Sequence, residues 1–405
     1  MQWLDLTRML CAVMILGIHW LRATYKVGLF GAGDPVNLVM NYQQQSGGFR
    51  LFHYVLLAGP GASFAGWLTN AIGLLGGFGW EAVSALVLVS GFSLALSQRG
   101  KTLDTAGWFA WYGKRARRIL VPFYLVAIPF LAFCAVAVAI LPHLHEPLAA
   151  VLDAKLLSQF HTPPLGVLLS HVVLLDPYAF QWGADFVAPA WWFVPAILLA
   201  YAAYPALRYA SRFAHGMPLL AGSALVTIGA YAASNAGIIT NETWYYIVLQ
   251  ELFNFSLGIV LAHAWLAGGR PLIERLVGDP RVFCAAFALF VIGNVANWSP
   301  QFRPVASMLY GPSLVVMLVF IAKLLERRPF ARHLTGIDAY DLYLVHQPFA
   351  YPIAFGAELL FHQYAVFIGW FVFLAVATIA TKLLSAVQRP IFAAAAPRPA
   401  IAVES

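Results

Sequence analysis

Residues 8–19, RMLCAVMILGIH, set an arginine and a histidine at the two ends of an otherwise apolar run. At about 100° per residue, their spacing leaves Arg8 and His19 about 20° apart around a helix and about 16 Å apart along it. They therefore share a helix face. Ionisable side chains inside a membrane are costly and ordinarily face a bundle interior or a water-filled cavity. Two readings stand at this point. Arg8 snorkels to one headgroup layer while His19 sits at the other, or both are working groups, histidine being the usual general base near neutral pH.

Other residues could join such chemistry. In GWEAVSALVLVSGFSLAL (79–96), Ser90 brings a hydroxyl and Gly91 a backbone free of Cβ, which permits close helix contact. Glu81 in the same stretch could neutralise a cation or orient a histidine, or be an interfacial carboxylate. KRARRILVPFY (114–124) offers Arg115, Arg117 and Arg118, either as a positive anchor or as an anion site, since an arginine fork grips phosphate bidentately. IDAYDLYLVHQP (337–348) adds a second imidazole, His346, with Tyr343 beside it and Asp338 and Asp341 before it as interfacial acids or partners. Glu251, Asn254 and the aromatic run APAWWFVPAILLAYAAYP (188–205, with Trp192) complete the set. His143, His145 and Glu146 make one short H-x-H-E cluster, too little to build a metal centre, and no metal is expected. Asn241-Glu-Thr is a glycosylation sequon, of consequence only in a secretory pathway.

The elements that must position these groups follow from composition. The chain has 405 residues, 61% hydrophobic and 10% charged, with mean hydropathy +0.76. A soluble protein carries about 25% charged residues. An all-α polytopic transmembrane bundle of about ten spans is expected, at about 4–22, 72–97, 119–140, 190–207, 217–236, 244–266, 282–297, 305–322, 337–356 and 364–386. The first run has no basic region before it and no cleavage site after it, so it reads as a retained span. The stretch 51–70, broken by GPG, reads as re-entrant or interfacial. Loops on the starting side of span one hold 18 Lys and Arg against 5 on the other, which puts both termini in the cytoplasm. Topology thus explains the net charge of +7, and no nucleic-acid partner is implied. Cys11, Cys134 and Cys284 lie in apolar runs and read as buried packing residues. One domain, 1–390, and a disordered cytoplasmic tail, 391–405, are expected. The outer loop 141–189, with Trp182 and Asp185, could hold a sugar.

In this order the segments resemble the acyltransferase-3 family of integral membrane O-acyltransferases. The family's Arg, ten residues, His pattern is matched by Arg8 and His19, its SGF by Ser90, Gly91 and Phe92, and its Arg-x-x-Arg by Arg115 and Arg118. Ile119 and Pro122, the Trp192-to-Pro205 span, Phe255 and Gly258, and the late Tyr343-Leu344-x-His346 follow in register. Two departures stand out. Ser84 occupies a position that is acidic in many members, with Glu81 one turn earlier as a stand-in. WFVPAILLAYAAYP stands where many read WSLSVEEQFYLLYP, so Ile197 and Leu198 replace two glutamates.

The resemblance implies transfer of an acyl group, usually acetyl, from cytoplasmic acyl-CoA (acetyl-CoA) to a hydroxyl of a glycan or lipid-linked saccharide, in a bacterial inner membrane. His19 would be the general base or carry the acyl group itself, with Arg8 and Glu81 assisting. Arg115, Arg117 and Arg118 would hold the CoA phosphates, and Ser90, Trp192, Tyr343 and His346 would line or support the site. Arg8 and His19 would then wall one cavity. The competing reading is a transporter or flippase with Arg8, Glu81, Glu251 and His346 along an ion path; a non-catalytic scaffold would leave the Arg–His pair unexplained. Acyl transfer from labelled acetyl-CoA separates these classes.

Overall fold

The computed structural model describes residues 1–26, 64–99, 103–140, 143, 189–238, 244–297 and 299–394. Among the described residues all regular structure is helical. Within a bilayer the backbone must satisfy its own hydrogen bonds, and a helix does so locally. We number the helices α1 (Gln2–Lys26), α2 (Phe64–Gly77), α3 (Gly79–Ser97), α4 (Thr105–Ile140), α5 (Phe193–Ala210), α6 (Met217–Asn235) and α7 (Trp244–Gln250). They continue as α8 (Leu252–Ala264), α9 (Arg270–Leu276), α10 (Pro280–Ala296), α11 (Arg303–Glu326), α12 (Ala331–Thr335), α13 (Ala339–Phe361) and α14 (Ala365–Ala394).

Eight stretches are long and apolar enough to cross a membrane by length and composition. The last of them, Ala339–Ala393, contains both α13 and α14, which reverse direction at His362–Tyr364. The 17-residue α10 is apolar but shorter. Each of the ten segments read from the sequence falls largely on helix, and 244–266 is interrupted at Glu251, between α7 and α8. Residues 72–77 belong to α2, and the helix is interrupted at Phe78 before α3 begins. Residues 391–394 of the expected tail are helical, because α14 runs on to Ala394, and the rest of it lies outside the described residues. Most of the segment 51–70, and Trp182, Asp185, His145, Glu146 and Asn241 with them, lie outside the described residues.

α1 and α3 form the centre. About three quarters of their apolar windows is buried (78% and 72%), against 33–50% for the other spans. α1 packs on α2, α3, α11 and α13, while α3 packs most extensively on α8. Glycines set these approaches. A Cβ on Gly76 would lie 2.6 Å from the backbone of Gly17, and one on Gly79 2.7 Å from the Met14 carbonyl, so the Gly-rich junction seats α2 and α3 directly on α1. Gly91 and Gly258 do the same between α3 and α8, where added Cβ atoms would meet Phe255 O at 2.3 Å and Leu88 O at 2.1 Å.

The cysteines need one correction. Cys11 is buried in α1, but Cys284 is exposed on α10. A lipid-facing position is as apolar as the core, so an apolar run cannot tell the two apart.

Candidate active site

The motif around His346 assigns one task to each side of α13. Asp338 caps the helix, accepting from the backbone N–H groups of Tyr340 and Asp341. The Tyr340 hydroxyl donates to the Ile119 carbonyl at 3.0 Å, tying α13 to α4. Asp341 accepts from Ser385 (3.0 Å) and Gln388 (3.1 Å), tying it to α14. Both aspartates are therefore accounted for structurally. Two turns on, His346 reaches α1, with its Nε2 3.1 Å from Nδ1 of His19. The two rings lie 5.0 Å apart, and both are buried.

Hydrogen-bond chemistry fixes the tautomers of this pair. Nδ1 of His346 lies against the Tyr343 carbonyl, an acceptor, so that nitrogen carries the proton. Nε2 of a neutral His346 must then accept, and His19 donates to it through Nδ1–H. The unprotonated nitrogen of His19 is consequently Nε2. This is how a partner determines which imidazole nitrogen is basic.

A cavity of about 520 Å³ opens at the end of the bundle that carries the N-terminus. Arg8, Arg115 and Arg118 line it, with Asp5 and Asp338, so three guanidiniums face two carboxylates. Arg8 donates to Asp5 at 2.6 Å and also to Ser93. Arg115 donates to Ser97 at 2.7 Å and lies over the Trp111 ring at 5.9 Å. Arg118 is 3.8 Å from Asp338, with 71% of its side chain exposed. Ser90, Ser93 and Ser97 form a stripe down α3, each hydroxyl donating back to a carbonyl of its own helix, which leaves the oxygen lone pairs for the arginines. Ser93 and Ser97 were missed by sequence reasoning, although the S-x-x-S-x-x-x-S spacing puts them on the face of Ser90. Arg117 is exposed and outside the cavity lining.

His19 lies elsewhere. It lines a separate, small space of about 10 Å³, with Ile15, Ile18, Arg22, Trp80, Val83 and Trp192 among its walls. Phe193 and Tyr343 line both spaces and stand between them. The expected single cavity from Arg8 to His19 is thus two, divided by a pair of rings that no helical wheel of α1 could reveal. Trp192 and Phe193 are held there by the preceding residue, because Trp191 Nε1 donates to Leu344 O at 3.2 Å.

Glu81 is not brought to His19. Val83 lines the His19 space, and two residues along a helix turn about 200°, so Glu81 faces away. It lies on the face of Ser84, whose hydroxyl donates to Glu251 at 2.6 Å. Glu251 also accepts from Asn254 at 2.7 Å, and Tyr310 of α11 lies within electrostatic reach of both carboxylates. Glu251 therefore presents a carboxylate directly against Ser84, the position that is acidic in the resembling pattern. Oε2 of Glu81 has no hydrogen-bond partner among the described residues.

A family model described as an acyltransferase domain matches residues 1–387. No curated protein and no solved structure matches the chain.

Proposed function

The chain belongs to the acyltransferase-3 family, as an integral multi-pass membrane acyltransferase, and on that premise we propose that it moves an acetyl group from acetyl-CoA to a hydroxyl of a glycan or lipid-linked saccharide. The observation that carries this reading is the pairing of an arginine-lined cavity with a histidine couple just beyond its inner end. CoA is an anionic donor supplied by the cytoplasm. Arg115 and Arg118 lie in Lys- and Arg-rich sequence that the positive-inside rule puts on that side, in a bacterial inner membrane. Arg8 sits deeper and would steady the donor between its phosphates and its thioester.

At the other end, Nε2 of His19 takes the proton of the acceptor hydroxyl as its oxygen attacks the thioester carbonyl. Collapse of the adduct breaks the carbon–sulfur bond. The imidazolium then returns its proton to the departing thiolate, leaving an ester and free CoA. General-base assistance of this kind contributes about 10²–10⁴-fold. His346 keeps Nδ1 of His19 protonated and so keeps Nε2 available throughout. Label transfer from radioactive acetyl-CoA into surface glycan tests the assignment. His19→Ala abolishes it while the protein still inserts in the membrane, and a variant that retains activity overturns the reading.

A further inference from the structure

We propose that Phe193 restricts the donor to short acyl groups, acetyl above all, by closing the passage between the arginine-lined cavity and His19. This rests on the donor reading above. The wide cavity and the His19 space share two lining residues, Phe193 and Tyr343, whose ring centroids are 5.6 Å apart in an edge-to-face contact. Both are buried, at 6% and 4% exposure.

Beyond the pair, the space beside His19 measures about 10 Å³, roughly what a single water needs. An acetyl methyl already fills it. Each further methylene has to displace a ring from a packed wall of Ile15, Ile18, Val83 and Trp192. Overfilling such a wall is unfavourable, and a hydrophobic pocket discriminates by about 10–200-fold for one methylene.

Of the two rings, Phe193 is the selective one. Tyr343 belongs to the matched Tyr-Leu-x-His motif and packs on His346 with ring centroids 5.7 Å apart. It holds the site together whatever the acyl group. Phe193 opens α5 and stands where the resembling pattern has serine. Ile197, one turn on, lines the wide cavity in place of a glutamate. Both departures therefore line the wide cavity, and together they make its wall bulkier and less polar than the pattern would.

The test is the chain-length profile of inside-out membrane vesicles carrying the full chain. They are fed labelled acetyl-, butyryl- or octanoyl-CoA, and glycan-bound label is counted above the His19→Ala background. Wild type is expected to favour acetyl over butyryl by at least about 10-fold. Phe193→Ala and Phe193→Ser are expected to raise the butyryl-to-acetyl ratio by about 10-fold or more. The ratio is taken within each variant, so a change in overall rate does not distort it. Where Phe193→Ala does not fold, Phe193→Leu and the wild-type profile read the same quantity. Wild type using butyryl-CoA as well as acetyl-CoA, or variants with an unshifted ratio, overturns the proposal while leaving the acyl-CoA reading intact. A wild type that transfers no acyl group from any of the three donors overturns both.

Discussion

His346 does more for His19 than pack against it. Its contact with the Tyr343 carbonyl settles its own tautomer and, through the 3.1 Å nitrogen–nitrogen contact, that of His19. A glutamine at 346 can fill space but cannot be relied on to repeat that proton order, since its amide presents a donor and an acceptor side by side. His346→Gln is expected to lower kcat by roughly 10–100-fold, by analogy with partners that orient metal-bound imidazoles. KM for acetyl-CoA should stay within about twofold, because the arginine-lined cavity is untouched. A purely packing role predicts instead a loss of folded protein with normal kcat per folded molecule. The arginines divide the other way. Arg115→Ala and Arg118→Ala are expected to raise KM for acetyl-CoA by about 10-fold each with little change in kcat, as befits charged hydrogen bonds of about 1.5–3 kcal/mol. Arg117→Ala, outside the lining, should raise it far less. Steady-state kinetics in vesicles separates these outcomes.

Among the elements, the contact between α3 and α8 is the tightest that the glycines allow. The SGF and Phe-x-x-Gly motifs meet here: Gly91 lies under Phe255 O, and Gly258 under Leu88 O and Phe92 N. The motif glycines are thus one interface rather than two sites. It holds the serine stripe of α3 in line with Arg8 and Arg115. An alanine at either glycine puts a Cβ within 2.3 Å of backbone, which no side-chain rotation relieves. Overpacking of this kind costs about 1–3 kcal/mol and sometimes more. Gly91→Ala and Gly258→Ala are expected to lower the thermal midpoint in detergent by several degrees or to abolish the folded peak. Gly222→Ala on α6, where nothing lies within 4 Å, should shift it by no more than about a degree. The same logic explains why α13 carries so dense a motif. One helix must meet α4 through Tyr340, α14 through Asp341 and α1 through His346.

For the molecule as a whole, the proposed donor and acceptor sides depend on topology. The 18-to-5 partition of Lys and Arg predicts cytoplasmic termini. A C-terminal green-fluorescent fusion should fluoresce and a C-terminal alkaline-phosphatase fusion should be inactive; the reverse pattern would put the arginine-lined mouth on the side without CoA. The buried Glu81, Glu251 and Asn254 group lies between α3, α8 and α11, and Glu251 lines a third small space that shares Val83, Trp192 and Phe193 with the His19 space. Neither carboxylate lines the His19 space or the arginine-lined cavity, so Glu81→Gln and Glu251→Gln are expected to alter stability more than the acyl-length ratio.

Much of this was determined by the sequence alone. The bilayer as solvent follows from 61% hydrophobic residues, because backbone groups in hydrocarbon must pair within their own helix. The shared face of Arg8 and His19 follows from helical period, and the arginines and glycines are legible because charge and the lack of a Cβ are properties of single residues. Pairings across the bundle were decided by the tertiary structure. Only packing brought His346 to His19 over 327 positions, turned Glu81 away from it and gave Glu251 to Ser84. It also set Phe193 and Tyr343 between the arginines and the imidazole. Periodicity gives the direction of a side chain around its own axis, whereas the neighbour it meets depends on how helices far apart in the chain are assembled.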